Sequence, residues 1–311
     1  MKRTAKAFAP GAISSFFEIC DTQVGKPIAD LEKVGAIGGG FGLKRGVLTK
    51  VTAQEAQKNR IDVLINSKPA HEAKTTIRVI ETLLAKTNTK YNVTVEHKIE
   101  VPIGAGFGTS AGGALTGGLA FREAVELPLT YNQIGKIAHV AEIQCQTGLG
   151  TVSSLSFSGG CVLVVEPGAP GICQIDRIPI TPDYMVVAGY LKSTIPKENV
   201  LAAPQKKKEI NGYGKKTLKA ILDEPSLENF LDCCWEFSQK AGFATEKVCE
   251  LVKSANKAGA VGATQNMIGE AVHAVVNEEN ANSVAEAFKQ LLPSQQVLVS
   301  EIDFQGARLI K

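Results

Sequence analysis

The sequence predicts an α+β fold, and three observations predict it. The stretch Tyr91–Val101 alternates Val93, Val95, Ile99 and Val101 with Thr94, Glu96, Lys98 and Glu100, the period of a half-buried strand. A segment capped near Thr130 sets Ile134, Ile137, Ala138, Ala141 and Cys145 on one helical face. Three helical segments near 214–223, 226–240 and 244–258 follow one another. Strands and helices are therefore mixed rather than strictly alternating, which favours α+β over a doubly wound sheet.

Taken in order, Arg60–Asn66 alternates Ile61, Val63 and Ile65 with Asp62, Leu64 and Asn66 and reads as a strand. Ala73, Ile77, Ile80 and Leu84 recur at helical spacing before the strand at 91–101. A helix of small residues runs from about Ser110 to Glu126, and the capped helix follows it. Glu166–Ile172 (EPGAPGI) is rich in turn residues and marks the candidate boundary between domains 1–165 and 166–311. Cys173–Ile180 and Tyr184–Leu191 are short strand-like runs. After the three helical segments, Gly259–Gly269 leads into an apolar helix with Val272, Val275 and Val276, and Gln296–Ile310 reads as paired strands.

The bulk properties exclude several classes of function. The net charge is only +3 and is spread along the chain, so neither nucleic acid nor a membrane surface is an expected partner. The cluster Lys206–Lys208 with Lys215, Lys216 and Lys219 reads as a solvated face. No apolar run approaches the ~20 residues of a membrane span. The start, MKRTAKAFAPGAISSFF, imitates a secretory signal, but Pro10 and Gly11 interrupt it and no leucine-type core follows. The cytoplasm is the expected location. Seven cysteines without CxxC pairing, and four histidines that do not cluster with them, suit free thiols rather than a structural metal.

The chemistry concentrates at Pro102–Gly113 (PIGAGFGTSAGG). A strand ends, a proline stops it, and Gly104-Ala105-Gly106-Phe107-Gly108 brings almost no side-chain bulk. Thr109 and Ser110, both good N-cap residues, then open a helix. Glycines let backbone N–H groups approach an anion, and the first helical turn adds unpaired donors and partial positive charge. The same text also fits a tight strand-to-helix turn packed on a neighbour. It is neither a GxxxxGK[ST] loop nor a GxGxxG fingerprint.

PIGAGFGTSAGGALTGGLA resembles the central motif of the GHMP kinases, usually close to PxxxGxGSSA. FAPGAISSFFEIC (8–20) is similar to their N-terminal APG motif. GAVGATQNMIGEAVHAVV (259–276) stands at the place of their glycine-rich third motif but matches it weakly. Within the superfamily the text most resembles the archaeal pantoate kinase family, through FAPGAISSFFEIC, GAIGGGFGL and RGVLTKV within 35–51, the central motif, and AHVAEIQCQTGLGTVSSLSFSGG (138–160). The resemblance implies a GHMP kinase fold with an N-terminal lobe like ribosomal protein S5 domain 2 and a C-terminal α+β lobe. It implies ATP and Mg²⁺ as cofactors and a small-molecule substrate, pantoate, phosphorylated on a hydroxyl in coenzyme A biosynthesis. A homodimer stays open. Two alternatives are another GHMP kinase, of the homoserine or mevalonate type, and an inactive GHMP-fold binding protein.

Carried over residue by residue, Pro102, Gly104, Ala105, Gly106, Phe107, Gly108, Thr109 and Ser110 would hold the nucleotide, and Ser110 and Glu142 the metal. Ser14, Ser15, backbone donors at Gly39 and Gly40, and Arg45 are candidates for the substrate; Arg45 suits a carboxylate because its guanidinium binds bidentately. Arg45 is equally compatible with a surface turn, and Gly35–Gly42 with a mobile hairpin loop. Glu142 is equally compatible with an exposed helix position. Two departures stand out: Ala12 sits where mevalonate-type relatives have a lysine, and Thr151 where an aspartate base is expected. A threonine is no base near neutral pH, so Asp21 is the remaining acidic candidate for a catalytic role in the first motifs.

Overall fold

The computed structural model describes residues 1–157, 159–191 and 204–311; Ser158, within the segment 138–160, lies outside the described residues. Two sheets carry the architecture. The first is built on two long antiparallel strands, β1 (Lys2–Cys20) and β4 (Gly35–Ala56), with the short hairpin β2 (Thr22–Gln23) and β3 (Lys26–Pro27) between them in sequence. Along its C-terminal half β4 pairs β7 (Lys90–Ile99), which lies parallel to β5 (Arg60–Ile65); β6 (Lys68–Pro69) closes that edge. Along its N-terminal half β4 pairs β8 (Cys161–Glu166), itself paired with β9 (Gln174–Ile178). The second sheet has the order β11 (Gly262–Gln265), β12 (Ala271–Asn277), β10 (Tyr184–Tyr190), β13 (Val297–Glu301).

The first motif region, 8–20, lies wholly within β1, although Pro10 and Gly11 break its alternation. Pro10 and Gly11 flank a register shift that skips Lys44 and Arg45 of β4, so the missing N–H of Pro10 falls beside a bulge; a second shift lies between Ser14 and Phe16. Gly35–Gly42, which could have been a hairpin loop, is instead the start of β4. The apolar helix expected around Val272–Val276 is a strand. Residues 271–276 are all buried, so both faces of β12 are covered and its text is a continuous apolar run without period. The strands expected within 296–310 exist but do not pair with each other: β13 pairs β10, whereas β14 (Arg308–Ile310) returns to β1 in the first sheet.

Helices α1 (Lys74–Leu84), α2 (Thr109–Ala124) and α4 (Thr151–Phe157) pack on the first sheet, and α3 (Tyr131–Gln144) packs on these three helices. α2 is buried from Ala111 through Phe121, and its small residues allow that. A Cβ on Gly112 would lie 3.0 Å from Val47 of β4, and one on Gly118 would lie 2.9 Å from Ile134 of α3, so α2 approaches both sheet and helix closer than larger residues permit. α3 starts at Thr130 with a reciprocal capping box to Gln133, as its sequence indicates. α5 (Pro204–Asp223), α6 (Leu227–Lys240), α7 (Glu246–Lys257) and α8 (Ala281–Lys289) complete the chain. Phe16 of β1 packs edge-on against Phe230 and Phe237 of α6, joining the first sheet to these later helices. The lysine cluster is more than a solvated face: Lys207 pairs with Asp21, and Lys215 with the buried Glu18. Among the described residues no helix is long and apolar enough to cross a membrane.

His97 lies fully inside this arrangement, between Thr49 (2.7 Å to Nδ1) and Thr76 (3.1 Å to Nε2). Burial pushes its pKa down from the usual 6.5 to about 4, and that of His273 to about 3. A folded pKa below the unfolded one means the unfolded chain takes up the proton first on acidification. Each histidine therefore stabilises the fold fully above pH 6.5, and that contribution declines as pH falls toward its folded pKa, by about 1.4 kcal/mol per pH unit. Glu142, raised to about 7, works in the opposite direction. His97→Gln is expected to lower stability at pH 7 and to flatten its decline between about pH 6 and 4.5, measured by urea unfolding. Parallel pH profiles for the two proteins would contradict this placement of His97.

Candidate active site

Beyond β7 the chain runs through Val101 and Pro102 into a loop whose backbone alternates in hand. Gly104, Gly106 and Gly108 have φ of +81°, +83° and +63°, while Ala105 and Phe107 between them keep negative φ. Such alternation turns successive N–H groups toward one side and forms an anion-binding concavity. The loop's odd-handed positions are all glycine because side chains rarely tolerate that conformation. Phe107 serves this loop only through its backbone. Its ring is buried against Tyr190 (6.4 Å between centroids), and its carbonyl accepts the Ala12 N–H at 3.0 Å. Ala105 is buried too, Pro102 is half-buried and Gly104 is exposed.

Gly108, not Thr109 or Ser110, is the N-cap of α2. Thr109 and Ser110 form the first turn, where the backbone N–H groups lack intrahelical acceptors and the helix dipole favours an anion. The hydroxyl of Ser110 faces two other elements. It donates to Thr75 Oγ1 on α1 (3.2 Å) and lies within reach of Glu142 on α3 as an alternative acceptor. Thr147, in the loop after α3, donates to Glu142 Oε1 (3.1 Å) and shares a hydrogen bond with Thr75 (2.9 Å). Glu142 is only 2 % exposed, which removes the reading of an exposed helix glutamate. Burial pushes its pKa up to about 7, against the lowering effect of hydrogen bonds from Ser110 and Thr147. Gly148 lies directly on this carboxylate, since a Cβ there would stand 2.5 Å from Oε2.

These residues fit a magnesium ion. A desolvated carboxylate and a hydroxyl, both hard oxygen donors, meet beside the glycine loop, and among the described residues no cationic side chain compensates the carboxylate. Mg²⁺ binds through one or two carboxylates plus substrate phosphates rather than in an all-protein cage. Accordingly, no cluster of three or more His, Cys, Asp or Glu side chains forms a cage among the described residues. Sequence reasoning missed Thr75 and Thr147; a threonine in a first helical turn and one in a glycine-rich loop carry no signal of their own.

The loop borders a cavity of about 250 Å³ between β1, β4, the 147–151 loop and residues 267–268. Its described lining has no charged side chain: Phe16, Phe17, Ile37, Phe41, Val162 and Val164 supply apolar wall, and Ser14, Thr147, Thr151 and Ser154 supply hydroxyls. Ala12 and Thr151, the two positions that depart from the mevalonate-type pattern, meet at the end of the phosphate loop. A Cβ on Gly108 would lie 2.7 Å from that of Ala12 and 2.9 Å from Thr151 Cγ2. The third glycine-bearing stretch also arrives here: Asn266 and Met267 abut Gly106, and the Met267 N–H donates to the Ser14 carbonyl at 2.8 Å.

The expected substrate residues divide. Ser14, Gly39 and Gly40 line the cavity, but the two glycines sit in a strand paired on both sides, so ladder bonds occupy this backbone. Glycine is required at Gly40 for another reason: a Cβ would stand 1.7 Å from the Ile13 carbonyl, at the β1 bulge. Ser15 is fully buried away from the cavity lining and hydrogen-bonds His273 Nε2 (3.0 Å), whose Nδ1 bonds Asn266 Oδ1 (2.6 Å). Arg45 is exposed and outside the cavity lining, with its N–H on Ser300 Oγ. Asp21 is held by Lys207 and does not line the cavity either.

Residues 74–159, from α1 through the phosphate loop to α4, match the N-terminal domain family of the GHMP kinases. The pantoate kinase of Methanocaldococcus jannaschii is 29% identical over 289 residues, spanning 91% of this chain and 96% of that one. The pantoate kinase of Thermococcus kodakarensis is 30% identical over 292 residues, spanning 92% and 91%. A solved structure described as a phosphotransferase related to the CoA biosynthesis pathway superposes with a TM-score of 0.83 at 28% identity, covering 99% of this chain and 98% of that one. With its left-handed glycine loop, its Ser110–Glu142 pair and relatives matched along nearly their whole length, the chain belongs to the GHMP kinase family.

Proposed function

We propose that this protein transfers the γ-phosphoryl group of ATP to the terminal hydroxyl of pantoate, giving 4-phosphopantoate for coenzyme A biosynthesis. The observation that carries the reading is the junction at Gly108, where the glycine loop borders a half-open cavity whose described lining carries no charge. The full-length similarity to archaeal pantoate kinases supplies the substrate. Pantoate carries two methyl groups on the carbon beside its reacting one, and the apolar walls of Phe16, Phe41, Val162 and Val164 suit that bulk. Ser14 and Thr151 offer hydroxyls to its own.

In this reading the N–H groups of Gly104–Ser110 hold the triphosphate, and the acceptor oxygen is aligned from the cavity side. Ser110 and Glu142 hold Mg²⁺, which supplies charge neutralisation on the phosphate oxygens when bound. The acceptor O–P bond forms as the bond from the γ-phosphorus to the bridging oxygen breaks, and the hydroxyl proton leaves late. Phosphoryl transfer through a loose transition state places little demand on a strong base, so a site with Ala12 and Thr151 in place of a lysine and an aspartate is competent.

Purified protein with Mg-ATP and a panel of pantoate, homoserine, mevalonate and galactose tests the reading: phosphorylation of pantoate alone is expected, and turnover of another alcohol instead would overturn it. Ser110→Ala and Glu142→Gln are each expected to lower kcat by about 100-fold or more. Gly108→Ala is expected to raise the KM for ATP at least tenfold, since its Cβ meets Ala12 and Thr151 and its φ is left-handed. Arg45→Ala and Asp21→Asn should leave kcat and the KM for pantoate within about twofold. A tenfold loss in either would restore that residue to the site.

A further inference from the structure

We infer that Thr75, in the first turn of α1, is a positioning residue for the metal-holding pair: its hydroxyl takes the Ser110 hydrogen, so that Ser110 presents lone pairs rather than a hydrogen to the cation. This rests on the reading of Ser110 and Glu142 as Mg²⁺ ligands. The two ligands belong to different helices, α2 and α3, and Thr75 comes from a third. Its side chain is 4 % exposed. It does not cap α1, whose N-cap Ala73 has no side-chain cap bond, so helix α1 gains nothing at its terminus from this hydroxyl. Its hydrogen bonds go to Ser110 and Thr147.

The direction of these bonds follows from hydrogen count, because each hydroxyl has a single hydrogen. An ionised carboxylate only accepts, so the hydrogen of Thr147 goes to Glu142 Oε1. Thr147 must then accept from Thr75, and Thr75 in turn accepts from Ser110, as its geometry shows. The chain Ser110, Thr75, Thr147, Glu142 is thus oriented from end to end and terminates on the charge. Ser110 has two acceptors for its one hydrogen, Thr75 and Glu142 itself. A cation held between Ser110 and Glu142 would require the hydrogen to leave the Glu142 side. Thr75 receives it there at no loss of a hydrogen bond, and Thr147 keeps the carboxylate oriented. Without Thr75, the Ser110–Glu142 bond closes on itself and competes with the metal. Outer partners of this kind typically change metal affinity about 10- to 100-fold.

The test is Mn²⁺ binding followed by electron paramagnetic resonance, with a non-hydrolysable ATP analogue present, for wild type, Thr75→Val, Thr75→Ser, Thr147→Val and Glu142→Gln. Thr75→Val keeps the shape and removes the hydroxyl; it is expected to weaken Mn²⁺ at least tenfold, with Thr75→Ser restored to within about threefold. Thr147→Val breaks the same chain at an exposed link and is expected to weaken Mn²⁺ as well, which keeps the test alive should Thr75→Val fail to fold. Weakening by Glu142→Gln but by neither valine variant would overturn the inference, as would equal weakening by Thr75→Val and Thr75→Ser. Unchanged affinity in Glu142→Gln would instead remove the metal pair itself, and the inference with it.

Discussion

Gly108 is the constraint on which the site depends. It is left-handed, it caps α2, and it lies between β1 and the start of α4, against Ala12 and Thr151. Three separate stretches of chain are brought together by the absence of a single Cβ. The phosphate loop can then reach the cavity wall without an intervening side chain. The small residues of α2 extend the same logic inward, letting the helix sink onto β1 and β4 with its N-terminus at the loop. Enlarging any of these positions would push the helix end away from the glycine loop and the cavity.

The arrangement that results sets the buried carboxyl of Glu142 beside the loop and leaves the cavity uncharged among its described residues. In this account a lysine and an aspartate are not part of the transfer machinery; loop N–H groups, the helix terminus and the metal pair carry the charge, and the cavity supplies orientation. The second sheet contributes through its β11–β12 hairpin. Asn266 and Met267 press on Gly106, and the buried Ser15–His273–Asn266 network fixes that hairpin to β1. The phosphate loop is therefore braced from both sheets.

Much of this was legible in the sequence, where a single period or a special residue decided the structure. Thr130 announced the start of α3, the alternation within 91–101 announced β7, and the glycines of 104–108 announced a loop that brings backbone N–H groups forward. What was not legible depended on partners far away in sequence. Residues 271–276 have no period because both faces are covered, and only their valines hinted at a strand. Pro10 and Gly11 looked like a break because the bulges that accommodate them are set by β4. Arg45 was attractive by chemistry alone, yet it sits in the β4 bulge opposite Pro10 and Gly11, exposed to solvent. Thr75 became significant only when three helices placed it beside Ser110 and Thr147.

The central claim is that transfer proceeds without a side-chain base at the position closest to the loop. Steady-state turnover of pantoate by Thr151→Ala tests it most directly, because alanine removes the last proton-accepting atom there while leaving the cavity open. The account predicts a kcat within about threefold of wild type. A loss of about 1,000-fold, with ATP binding intact, would make the Thr151 hydroxyl an essential catalytic group and contradict it.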